Sequence, residues 1–64
     1  MAYTLKYFDA VKNETTTVGK PVAGLDTAER QVTKRYGSRI NPEGLNMVTI
    51  VDDEGSIFRV YNID

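Results

Sequence analysis

"MVTIVDDEGSIFRVYNI", residues 47–63, carries nine apolar side chains around one acidic turn. How its two arms pair decides which residues form the core. A half-buried hairpin alternates apolar and polar positions, yet both arms here hold apolar residues at odd and even positions. A three-residue loop, Asp53-Glu54-Gly55, with Gly55 supplying a positive φ, sets Asp52 opposite Ser56 and Val51 opposite Ile57. Ile50 then faces Phe58, Thr49 faces Arg59, Val48 faces Val60 and Met47 faces Tyr61. One side of the sheet becomes Val48, Ile50, Phe58 and Val60. The other becomes Leu45, Met47, Thr49, Val51, Ile57, Arg59, Tyr61 and Ile63. A four-residue loop would pair Val48 with Arg59 and mix both sides. Because a one-residue slip moves every side chain across the sheet, the cleaner segregation favours the three-residue loop.

Upstream, "GLDTAERQVTKRYGS" (residues 24–38) predicts a helix from about Thr27 to Tyr36. Asp26 is placed to cap it, with Glu29 three residues later in a capping-box arrangement. Lys34 and Arg35 suit the negative end of the helix dipole, and Gly37 suits a left-handed terminator. Leu25, Ala28, Val32 and Tyr36 return to one face at spacings of three and four. Tyr3, Leu5 and Tyr7 alternate with Thr4 and Lys6 as a strand, and the β-branched run Thr15–Val18 reads as its hairpin partner. Pro21 cannot donate to a ladder, so with Gly19 it marks an edge, a bulge or the end of that strand. Ile40 is expected to tuck beneath the helix.

The order is β-β-α-β-β, an α+β two-layer sandwich with a mostly antiparallel sheet and one helix on one face. The predicted core is Tyr3, Leu5, Tyr7, Ala28, Val32, Tyr36, Val48, Ile50, Phe58 and Val60. A helix is about 10–12 Å across and strands lie about 4.8 Å apart, so one helix of this length covers one face of the sheet only. Leu45, Met47, Val51, Ile57, Arg59, Tyr61 and Ile63 are therefore expected to form a contact surface, covered by a protein partner or by a second copy in a homodimer. The partner can pack on the face or pair with the terminal strand.

Composition bounds the chemistry. The chain's 64 residues make one small domain, with eight Lys and Arg, nine Asp and Glu, no His and no Cys. No disulfide, no thiolate metal site and no His-assisted nucleophile can be built, so neither catalysis nor a cofactor nor a metal is expected. The acid-rich "DDEG" lacks the alternating ligands and distant Glu of a calcium loop. "GKPVAG" (residues 19–24) lacks the Lys and hydroxyl residue that complete a phosphate loop.

No apolar stretch is long enough to span a bilayer, and no basic n-region precedes an apolar core at the N-terminus. A cytoplasmic protein without a membrane or small-molecule substrate is expected. The alternative is nucleic-acid binding through Lys20, Arg30, Lys34, Arg35 and Arg39, although Lys34 and Arg35 already suit a helix C-terminus. The arrangement is similar to that of many small bacterial and phage domains of unknown function, a likeness without a diagnostic motif.

Overall fold

The computed structural model describes residues Met1–Asp64. Two hairpins flank one helix: β1 (Tyr3–Asp9), β2 (Glu14–Val22), α1 (Leu25–Tyr36), β3 (Asn46–Val51) and β4 (Ile57–Ile63), with a 3-10 turn at Gly37–Arg39. The sheet is antiparallel in the order β2-β1-β3-β4, so β1 and β3 are central. This is the α+β two-layer architecture that the two periodicities predict.

The first hairpin turns where Asp9 Oδ1 accepts the N–H groups of Val11 and Lys12, at 3.0 and 3.1 Å. Asn13 takes a positive φ of 55°, a region that Asn tolerates well. Beyond this turn β2 is longer than Thr15–Val18. It bulges at Gly19-Lys20-Pro21, which lie opposite Thr4 alone, before Val22 rejoins Tyr3. As an edge strand, β2 can carry a proline without losing a central ladder bond.

The helix starts two residues earlier than its capping pattern implies. Gly24 is the N-cap, without a side-chain cap bond. Asp26 therefore lies within the first turn, where its charge still favours the helix dipole. Gly37 is right-handed (φ −52°), because the chain runs on into the 3-10 turn instead of reversing.

The decisive correction concerns the second hairpin. Its loop is the expected one: Val51 pairs with Ile57, the Asp52 N–H donates to Ser56 O at 3.0 Å, and Gly55 has φ 84°. Asp52 Oδ1 fixes the turn by accepting the N–H groups of Glu54 and Ser56 at 2.9 and 2.8 Å. One residue further on, Phe58 is extra. Ile50 pairs with Arg59, Thr49 with Val60, Val48 with Tyr61 and Asn46 with Ile63. A bulge of this kind sets two residues against one and puts everything beyond it on the other face.

The reason is apolar burial. In the uninterrupted ladder Tyr61 and Ile63 would face the uncovered side. In the shifted one Ile63 is fully buried and Tyr61 packs against the core. Val60, 53% exposed, is what the helix-covered face gives up. Phe58, 38% exposed, keeps an edge-to-face contact with Tyr3 at 5.4 Å between ring centroids.

The buried core is thus Leu5, Ala28, Val32, Val48, Ile50 and Ile63. Tyr3, Tyr7, Tyr36 and Tyr61 pack against it, Tyr7 stacking parallel on Tyr36 at 6.0 Å. Phe58 and Val60, expected in this core, are outside it, whereas Ile63 belongs to it. Ile40 does not enter the core either. It bridges to Ile63 along the outer edge of β4. There the Asn41 N–H donates to Asn62 O and the Asp64 N–H to Arg39 O, both at 2.9 Å. Gly44 closes this strap: a Cβ at that position would collide with the Ile63 backbone.

Candidate functional site

Alternation along four strands puts a defined set of side chains on the sheet face away from the helix. In register across the sheet, one row is Thr15, Phe8, Met47 and Asn62, and the next is Thr17, Lys6, Thr49 and Val60. A third row is Thr4, Val51 and Ile57. Phe8, Met47, Val51, Ile57 and Val60 are the apolar members of its β1-β3-β4 part, interspersed with Thr4, Lys6, Thr49 and Asn62, while β2 contributes threonines. Lys6 is the only charge on this face, and its Nζ donates to Thr17 Oγ1 at 2.7 Å. None of the rows contains a carboxylate.

The seven expected contact residues divide. Met47, Val51 and Ile57 share the open face, with Ile57 61% exposed. Leu45 precedes β3 and is 77% exposed. Arg59, Tyr61 and Ile63 lie on the helix side instead, carried there by the Phe58 bulge. Arg59 Nε donates to Glu29 Oε2 of the helix at 3.4 Å, a solvent-exposed pair of small energetic weight. Burial pushes the Tyr61 phenol above its ordinary value; Glu29 adds to the rise and Arg59 opposes it.

Phe8, Lys6 and Val60 belong to the open face and were not among the expected contact residues. The Tyr3-Leu5-Tyr7 alternation already implied Lys6 and Phe8, since a core at odd positions sends even ones to the other side. Val60 is found only once the bulge is known.

The outer edge of β4 is largely occupied. Its C-terminal part is strapped by Arg39–Asn41. Nearer the turn, Arg59 Nη1 donates to the Phe58 carbonyl at 2.8 Å. Both devices consume the backbone groups that pairing with another strand requires.

The five basic residues lie on three elements, β2, the helix and the 3-10 turn. Arg30 and Lys34 are exposed on the helix. Lys20 and Arg35 line a cleft between β2 and the helix. Arg39 donates to the Asp64 main-chain oxygen at 2.6 Å and lies over the Tyr36 ring at 5.8 Å. No group of three or more acidic side chains converges in a way that can hold a metal ion, and no helix is long and apolar enough to cross a membrane. Comparison with protein-family models, with curated proteins and with solved structures finds no match.

Proposed function

We propose that this chain is a non-catalytic binding module that takes a protein partner on the open face of its sheet. The observation that carries the proposal is one uncovered face with Phe8, Met47, Val51, Ile57 and Val60 around a single cation, Lys6. Exposed apolar residues grouped on one uncovered face are a mark of contact sites, and Met and aromatic residues are enriched where protein interfaces are buried. The lack of His and Cys supports binding over catalysis, since the usual acid-base and nucleophilic groups are missing.

Charge argues for a partner other than a second copy. Self-packing would desolvate two Lys6 ammonium groups with no carboxylate in the rows of either face, a costly arrangement. A larger partner can extend over the rim and bring an acid to Lys6. Edge-to-edge pairing through β4 is opposed by the strap and by Arg59.

A defined probe tests the face. Anilinonaphthalene sulfonate combines an apolar ring system with one anion. Titration followed by NMR is expected to shift the Met47 methyl, Val60 and Lys6 signals, and wild type is expected to sediment as a monomer. Met47→Asp/Val60→Asp should abolish the shifts and keep the circular-dichroism spectrum. A wild-type dimer that this double variant splits would replace the heterologous partner with a second copy. Shifts confined to the helix side would remove the open face from consideration.

A further inference from the structure

On the opposite layer, the β2 bulge and the helix enclose a cleft of about 200 Å³. Its floor is apolar: Leu5 is buried, and Val18 and Val22 are half-buried. Its polar lining consists of Lys20, Gln31 and Arg35, with no carboxylate. Neither cation makes a side-chain hydrogen bond or ion pair within the chain, where the single ion pair is Arg59 with Glu29. Two uncompensated cations beside an apolar floor are complementary to a carboxylate that carries an apolar group.

The Arg35 guanidinium reaches the bulge: a Cβ on Gly19, whose φ is 68°, would sit 3.2 Å from Arg35 Nη2. Gln31 and Arg35, one helical turn apart, point along the same flank toward β2.

We infer that this cleft binds the carboxyl terminus of a peptide ending in an apolar residue. The terminal side chain lies on Val18 and Val22, and the carboxylate lies between Arg35 and Lys20. The Gln31 amide is then free to bond the preceding peptide group. Size selects this ligand: pockets for whole small molecules run to about 300–1,000 Å³, so this one takes the end of a chain. Capture of a terminal carboxylate is a recognised mode of peptide binding. The site is independent of the open sheet face, and either can fail without the other.

The test is NMR titration of the full chain with a hexapeptide ending in leucine. Its arms are the free-acid peptide, the same peptide amidated at its C-terminus, and N-acetyl-leucine. The free acid is expected to shift the Val18 and Val22 methyls and the Gln31 side-chain amide saturably, and to bind more tightly than N-acetyl-leucine. Amidation, or Arg35→Gln, should weaken binding about tenfold or more through loss of a charge-assisted hydrogen bond. Lys34→Gln, outside the cleft, should leave affinity unchanged. Equal binding of the amidated peptide would overturn the carboxylate assignment. Equal binding of N-acetyl-leucine would overturn the peptide assignment, and no saturable shift at millimolar peptide would overturn the site.

Discussion

The two edge strands both bulge, and they do so for different reasons. In β2 the irregularity falls on Gly19-Lys20-Pro21, where one residue has a left-handed backbone and another lacks an N–H. In β4 it falls on Phe58, between an isoleucine and an arginine, with no special backbone residue. The first bulge is dictated locally. The second is dictated by what it does three and five residues later, when it turns Tyr61 and Ile63 toward the helix. A bulge can thus be a property of a turn-forming tripeptide or of a whole strand's burial.

The largest expected effect tests the second kind directly. Ile63→Asp should abolish cooperative thermal unfolding by circular dichroism. An unpaired carboxylate at a fully buried position costs several kcal/mol, against a total of about 5 kcal/mol for a domain this small. Val60→Asp, on the open face, should change stability by about 0.5 kcal/mol or less. An unbulged β4 would reverse that ranking.

Asp52→Ala is next, at about 1–3 kcal/mol in urea unfolding, because the Glu54 and Ser56 N–H groups lose their acceptor in a half-buried turn. Deleting Phe58 sharpens the comparison further. The extra residue is removed while Arg59, Tyr61 and Ile63 stay in phase, so the chain should fold with a loss of about 0.5–1.5 kcal/mol, the worth of the Tyr3 ring contact. An unbulged strand would hold Phe58 and Val60 against the helix, so there the same deletion would remove a core ring, turn Val60 outward and cost several kcal/mol.

The smallest effect is alkaline. The folded Tyr61 phenol has its pKa raised above the ordinary 10.0 by burial first and by Glu29 second. Above that ordinary value the unfolded phenol ionises while the folded one holds its proton. The stabilisation is therefore complete below it and is lost as pH rises through the folded value. Thermal midpoints from about pH 9 to about pH 11 should fall more steeply in wild type than in Tyr61→Phe.

Most of the fold was legible because its signals are short-range. The Tyr3-Leu5-Tyr7 alternation, the Leu25-Ala28-Val32-Tyr36 stripe and Gly55 at the second turn each need only a few neighbours to be interpreted. The open sheet face was legible in part. Met47 and Val51 follow β3, which is regular, and Ile57 lies before the bulge. Arg59, Tyr61 and Ile63 lie after it, and their side was decided by packing against a helix some thirty residues away. Segregating apolar from polar favoured the wrong partition there, since both partitions of the hairpin are apolar enough. What distinguishes them is that Ile63 fills the core more completely than Val60 does. The strap over β4 was also hidden, because Ile40 has the composition of a core residue and serves as an edge cover.

The sheet order has a consequence in time. Each hairpin joins strands adjacent in sequence, so either can form locally in microseconds. The seam between β1 and β3, which joins Phe8 to Met47 and Thr4 to Val51, requires closing most of the chain into a loop, with the helix as its middle. That closure carries the entropy cost that slows folding. It is also the last connection to open, because its strands are shielded on both sides by the outer two. Amides of β1 and β3 should therefore exchange with deuterium only on global unfolding, while those of β2 near Gly19 exchange through local opening.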